Sequence, residues 1–418
     1  MMRKELIGDN KVNVCDMTID AHEIAQTLAA AKTLQDNDES FYVVNLDAVY
    51  ERHLLWKKEL PNVEPFYAVK CNSDVVLLNA LASLGVNFDC ASREEIDTVL
   101  SIGVDTERVI YANPCKTRSF IKHAEQVGVT MMTFDNKEEL EKIAACHKMP
   151  QLILRIAVSD PTATCPLNLK FGAEPTKIAP ELLYAASRLG INVRGISFHV
   201  GSGCNDPAAY HKALEFARGL FDLGASLGMH MDIVDIGGGF PGGEHRLSFE
   251  KIASVLRPAL DAFFPVDSGV RVIGEPGRFY AARPFTLVAN VTTATETTAA
   301  KITKKASDGD KKAFMYYIND GVYGSFNCIL FDHVHPTGRP LFEVAGAPEY
   351  PCTIWGPTCD SLDLIEEAKQ MRQLSVGDWM LYEEMGAYTC AASTTFNGFS
   401  RPTPVYFISQ RAWLKFGF

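Results

Sequence analysis

Between residues 66 and 276 the chain repeats one unit eight times, a short apolar, β-rich segment followed by a longer stretch with helical periodicity. The segments are FYAVK (66–70), VNFDC (86–90), RVIYA (108–112), TMMTFD (130–135), LILRIAV (152–158), VRGISFHV (193–200), DIVDIG (232–237) and VRVIGEP (270–276). Intervening stretches such as SREEIDTVLSIG carry apolar residues at spacings of three and four, as an amphipathic helix requires. A strand that returns through a helix pairs in parallel with the next one. Eight such units predict an α/β fold, a closed (β/α)8 TIM-type barrel over residues 42–283, with an open doubly wound sheet as the alternative.

The polar residues decide between the two. In such a barrel the reactive groups gather at the C-terminal ends of the strands. Here those ends carry Lys70, Asp89, Asn113, Asp135, Arg155, His199, the glycines Gly237, Gly238 and Gly239, and Glu275. Unpaired buried charge is costly, so ordinary core strands would not finish this way. These groups are expected to converge on one mouth.

Beyond residue 283 the segments FTLVANVTTATE, AFMYYIND, WMLYEEMGAYT and TPVYFIS alternate as strands without comparable helices. They predict a mostly antiparallel β domain over residues 284–418, joined by residues 1–41. KITKKASDGDKK (301–312) reads as a mobile loop between strands, and VSDPTATCPLN (158–168) as a flexible loop leaving the barrel mouth.

A chain of 418 residues exceeds the usual limit of one core, in keeping with this division. No run of about 18 apolar residues is present to cross a bilayer, and MMRKELIGDNKVNVCD has no apolar signal core, so a cytoplasmic location is expected. The eleven cysteines are scattered without a C-x-x-C pair, which reads as reduced thiols and no metal site. A net charge of -11 argues against a nucleic-acid partner; it confers solubility and mildly suits a cationic ligand.

The chemistry rests on a few motifs. FYAVKCN ends a strand in Lys70, which could snorkel to solvent or, desolvated at a barrel mouth, attack a carbonyl to make a Schiff base. DIGGGFPG (235–242) lets backbone N–H groups approach an anion, although a tight structural turn has the same glycines. GEPGRFY (274–280) adds Gly277 and Arg278, suited to phosphate, and the carboxylate of Glu275. A lysine, a phosphate cradle and a carboxylate at a strand end fit pyridoxal phosphate better than a nucleotide. Glu275 on the pyridine nitrogen would keep the ring protonated as an electron sink, which favours decarboxylation over racemisation. FHVGSGC (198–204) offers His199, either a structural residue or a stacking partner for the pyridine, and Ser202 for phosphate. In GPTCDSLD, Cys359 stands in a polar turn where it cannot fill a core.

PFYAVKCN, FDCAS, FHVGSGC, DIGGGFPG, GEPGRFY, YGSFNCILFDH, WGPTCDSLD and MGAYTCAASTTFNGF occur in this order, and together they resemble the eukaryotic-type ornithine decarboxylase family of fold-type III pyridoxal phosphate enzymes. The resemblance implies a homodimer with two active sites, each built from one subunit's barrel and the other's β domain. It implies that Lys70 holds the cofactor as an internal aldimine, Glu275 pairs with the pyridine nitrogen, and His199 stacks on the ring. Phosphate would be held by Ser202, Gly237, Gly238, Gly239, Gly277, Arg278 and Tyr388. Asp89, Glu95 and Arg155 would form the polar shell near the lysine, and Lys170 would pair across the interface with Asp363. Cys359 would reach the neighbouring subunit's site and govern protonation of the substrate Cα after CO2 leaves. Asp360 and Asp332 would bind the distal ammonium of a diamino acid.

One departure is Phe331, where the family commonly has tyrosine, so a hydroxyl is missing at the edge of the substrate pocket. The implied reaction is decarboxylation of L-ornithine to putrescine, the entry step of polyamine biosynthesis. Lysine or arginine is the alternative substrate, because one methylene changes binding by only about 1–3 kcal/mol. A non-catalytic relative resembling antizyme inhibitors would be marked by loss of the lysine or phosphate ligands. An antizyme-like regulator is not decided by the residues.

Overall fold

The computed structural model describes residues 2–158, 170–243 and 247–418, so most of the proposed mouth loop at 158–168 lies outside the described residues. The chain divides into two compact units, residues 51–280 and residues 1–50 with 281–418.

Residues 51–280 form the closed parallel barrel. Its strands are β1 (Val63–Ala68), β2 (Asn87–Cys90), β3 (Val109–Tyr111), β4 (Met131–Phe134), β5 (Gln151–Ile156), β6 (Val193–Phe198), β7 (Ile233–Asp235) and β8 (Arg271–Gly274). Strand β8 pairs with β1, Val272 opposite Val63, and closes the ring. One buried cluster gathers Phe66, Ile110, Met131, Ile153, Ile233 and Ile273 from six different strands. Each such side chain contributes about 1.5–3 kcal/mol when fully buried.

Strand side chains alternate between faces, so the residue two beyond a core residue returns to the same side. Ile153 is thereby followed by Arg155, Ile233 by Asp235 and Ile273 by Glu275. The same alternation that builds the core thus points charged groups into one end of the barrel. The loops above those ends are pinned by N-caps: the side chains of Asp74, Ser92, Thr117 and Asn136 accept from the Leu77, Glu95, Phe120 and Glu139 N–H groups respectively. Such caps are worth about 1 kcal/mol each and fix where each helix begins.

In the other unit, ten strands form one mixed sheet, antiparallel in most of its pairings. Thr403–Ser409 is parallel to both Asn10–Cys15 and Phe41–Asn45, so the segment at 41–45 belongs to this sheet. The long strand Phe285–Thr298 pairs with Phe41–Asn45, Trp379–Tyr382 and Lys312–Ile318. Lys312–Ile318 runs parallel to Glu349–Trp355, which turns back antiparallel as Leu364–Arg372. GPTCDSLD is the loop of that hairpin.

The stretch at 301–312 departs from the expected loop. Its first residues complete the helix Ala299–Thr303, and Ala299 and Ile302 pack with Ala313 in a small core. A single isoleucine among lysines is a weak periodic signal, yet here it is 4% exposed.

Candidate active site

The lysine turn comes first. Strand β1 ends in a single 3-10 turn, Val69–Cys71, held by the Tyr67 hydroxyl donating to the Asn72 carbonyl at 2.8 Å. The turn carries Lys70, whose Nζ donates to Asp89 Oδ2 at 2.6 Å. Asp89 is fully buried, whereas the lysine side chain is 39% exposed and open to the mouth. Glu95 lies under this pair. It accepts from the Ala91 N–H at 2.5 Å, while Ser92 caps the same helix, and burial pushes its carboxyl above the usual range.

The far side of the mouth is built by β6, β7 and β8. His199 follows β6, and its Nδ1 accepts from the Gly201 N–H at 3.1 Å. Burial, then Arg155 and Lys70, holds its pKa well below the usual value, so the ring is neutral with its remaining proton on Nε2. Gly237 has φ +63°, and a Cβ there would fall 2.1 Å from the Phe198 carbonyl oxygen. At Gly238 a Cβ would meet His199 Nε2 at 2.8 Å and the Glu275 carbonyl oxygen at 2.9 Å. The glycines therefore let the turn approach the Phe198 and Glu275 carbonyls and the His199 ring where a Cβ would not fit. Arg278 Nη2 donates to Ser202 Oγ at 3.2 Å, bringing two expected phosphate ligands together.

Glu275 is buried, and burial followed by repulsion from Asp235 and Asp89 raises its pKa well above the usual carboxylate value. Three buried oxygens here, Asp89 Oδ1, Ser197 Oγ and Asp235 Oδ2, accept from no N–H or hydroxyl group among the described residues. Unmet acceptors, a close glycine turn, a paired lysine and an arginine with a serine suit a phosphate-bearing aromatic aldehyde.

Asn113 and Asp135, also expected at the mouth, are used within its loops. Asn113 donates to the Ala91 carbonyl at 3.3 Å and accepts from the Cys115 N–H, and Asp135 Oδ2 accepts from the Gly172 N–H at 2.8 Å. Two other residues were missed from the sequence. Arg52 is buried and donates to the carbonyls of Phe279 at 2.9 Å and Pro241 at 2.8 Å, tying GEPGRFY to DIGGGFPG. Lys116, 2% exposed, donates to the carbonyls of Asn113 and Thr133 and lies 3.0 Å from Glu139; burial lowers its pKa to about 8. No local pattern distinguishes either one from a surface cation.

The β unit carries the remaining candidates. Asp363 is 1% exposed and accepts from the Val322 N–H at 2.8 Å, the Thr358 N–H at 2.9 Å and Thr358 Oγ1 at 2.6 Å. Its carboxylate is thus engaged by its own hairpin loop and by the turn after Lys312–Ile318, while Lys170 is exposed with its ammonium 4.9 Å from the Phe171 ring. The staple leaves Cys359 exposed at the tip. Next to it, Asp360 accepts from the Leu362 N–H at 2.9 Å and from the Tyr323 hydroxyl, which together hold its carboxyl below the usual range. Tyr323 stacks on Phe396 with ring centroids 4.4 Å apart. Asp332 is buried, and Phe331 beside it is 70% exposed. Tyr388 is held at φ +55°, a left-handed conformation that is uncommon for an aromatic residue and marks a constrained position.

Residues 46–282 match the family model described as pyridoxal-dependent decarboxylase, pyridoxal binding domain. An ornithine decarboxylase from Caenorhabditis elegans is 61% identical over 409 residues, covering 98% of this chain and 97% of the relative. The chain belongs to the eukaryotic ornithine decarboxylase family.

Antizyme inhibitor 2 of Xenopus laevis is also similar, 45% identical over 411 residues, covering 97% of this chain and 89% of the relative. Among solved structures, the arginine decarboxylase of Paramecium bursaria Chlorella virus bound to agmatine matches with a TM-score of 0.85 at 35% identity, covering 93% of this chain and 100% of that one. The ornithine decarboxylase family assignment makes the chain a pyridoxal-dependent decarboxylase with a barrel and a mixed sheet.

Proposed function

We propose that this chain decarboxylates L-ornithine to putrescine and CO2, using pyridoxal phosphate held in the mouth of the barrel within residues 51–280. The observation that carries the reading is the Lys70–Asp89 pair at 2.6 Å beside the buried Glu275, within a chain 61% identical to an ornithine decarboxylase. When bound, the cofactor supplies an electron sink for the pair left on Cα as the bond to the carboxylate breaks.

The chain's own residues do the rest. Lys70 would hold the cofactor through Nζ, with Asp89, Glu95 and Arg155 balancing charge around it. Glu275 would face the pyridine nitrogen and His199 the ring. Ser202, Gly237, Gly238, Gly239, Gly277, Arg278 and Tyr388 would bind the phosphate. Asp360 and Asp332 would take the distal ammonium, and the Cys359 thiol would control delivery of a proton to Cα.

The working unit is a homodimer in this reading. Exposed apolar residues support it: Phe331 at 70% and Leu362 at 63% lie in the segments that carry Asp332 and Cys359, and Phe396 at 47%, stacked on Tyr323, and Phe399 at 41% lie in the segment that follows Tyr388. A second copy would cover them. A cytoplasmic location suits the ten described cysteines, among which no disulfide forms. No helix among the described residues is long and apolar enough to cross a membrane.

Phe331 supports a second reading within the same chemistry, a shift toward lysine or arginine. CO2 release from L-ornithine, L-lysine and L-arginine at equal concentration, with Lys70→Ala as control, separates the readings. Ornithine should lead by at least about an order of magnitude and the variant should be silent. A lead by lysine or arginine would overturn the assigned ammonium site, and no turnover of any of them would favour an antizyme-inhibitor-like binding protein.

A further inference from the structure

Asp235 is the last residue of β7, fully buried, and two positions beyond the core residue Ile233. Its Oδ1 accepts from the Gly237 N–H at 2.9 Å. Its Oδ2 is buried and accepts from no N–H or hydroxyl group among the described residues, and the Glu275 carboxyl stands against it. Two carboxyls can hydrogen-bond only when one of them is protonated. The charges facing the pair are Asp89, Lys70 and Arg155, with His199 neutral. Three carboxylates against two cations leave one excess negative charge, and a single retained proton cancels it. Burial raises Asp235 to about 7 and Glu275 well above the usual range, in the direction that such a shared proton requires.

We propose that Asp235 and Glu275 share one proton, and that Asp235 is the partner that keeps it when Glu275 is ionised against the pyridine nitrogen of the cofactor. This rests on the assignment of Glu275 to that nitrogen made above. The transfer balances within the site: the O–H bond on Glu275 breaks, one forms on Asp235 Oδ2, and no proton passes to solvent. Neutral Asp235 then donates to the Glu275 carboxylate and steadies the charge that the pyridine N–H needs. Asp235 is therefore a positioning residue, acting through Glu275 without touching the reacting atoms.

The test compares Asp235→Asn, whose amide can donate but cannot titrate, with Asp235→Ala, which can do neither. Both are prepared as holoenzyme, with thermal melts to establish folding. The readouts are the visible absorption of bound pyridoxal phosphate from pH 6 to 9, its dissociation constant, and kcat against pH. D235N should keep kcat within about tenfold of the parent with a cofactor band of parent shape, because the donor to Glu275 survives. D235A should lose about a hundredfold in kcat, with an added rise toward alkaline pH as Glu275 ionises unaided.

Equal behaviour of the two folded variants, whether both active or both silent, would overturn the proposal. If D235A does not fold, D235N decides alone: a folded D235N that loses more than about a hundredfold shows that the charge, and not the donor, is needed. Glu275→Ala separates this failure from that of the parent reading. An unchanged cofactor band and kcat in E275A would remove the pyridine assignment itself.

Discussion

Lys70 Nζ donates to Asp89 Oδ2 at 2.6 Å across neighbouring strands, joining a lysine open to the mouth with a carboxylate that has no exposed surface. Asp89 thereby fixes where the amine stands before a cofactor arrives. Asp89→Asn keeps the shape and removes the charge. It should reduce kcat/KM by about tenfold or more and weaken cofactor retention on dialysis, because the ammonium loses its buried partner. Parent-like turnover and retention would mean the pair does not position the lysine.

Arg52 joins the two glycine turns through the Phe279 and Pro241 carbonyls, with its guanidinium 3.8 Å from the Phe279 ring centre. Arg52→Ala leaves both buried carbonyls short of a donor and opens a void. It should cost about 2–4 kcal/mol of stability, and it should weaken pyridoxal phosphate binding more than it changes kcat. Thermal melts and cofactor titration check both. Lysine at this position cannot span two carbonyls in one plane, so R52K should recover only part.

Asp320 is buried among glycines, its Oδ1 accepting from the Gly321 and Ser325 N–H groups. Burial raises its pKa to about 6 from 3.8. Between these values the folded state binds the extra proton, so stability falls as pH rises through about 4 to 6 and levels off above. Asp320→Asn keeps the acceptor and abolishes the charge. It should raise the melting temperature at pH 7.5, and the gain should shrink toward zero by pH 4. A pH-independent difference would dismiss the titration of Asp320 as its source.

If each active site takes Lys70 from one subunit and Cys359 from the other, mixing two dead variants should restore activity. Lys70→Ala and Cys359→Ala subunits, combined at equal amounts and allowed to exchange, place one intact site in half of the dimers. About a quarter of the parent activity should return. Recovery absent despite proven exchange would put both residues in a site within one chain.

The sequence by itself determined the barrel, the companion sheet and the motifs of the mouth. Strand-helix alternation is a local periodicity, visible in windows of a dozen residues, and charged strand ends are legible wherever such strands close into a ring. Parity along DIVDIG could also have revealed Asp235, because it shares a face with Ile233. What only the tertiary structure decided is the company each residue keeps. The parallel pairing of Thr403–Ser409 with Asn10–Cys15 joins segments at opposite ends of the chain. Arg52 and Lys116 look like surface cations until the fold buries them against distant carbonyls, and Ile302 looks solvated until its helix packs on Ala313. Burial and pairing depend on contacts between remote segments. No local window contains those partners, so the pKa shifts and hydrogen bonds that tune the mouth exist only once the chain has closed.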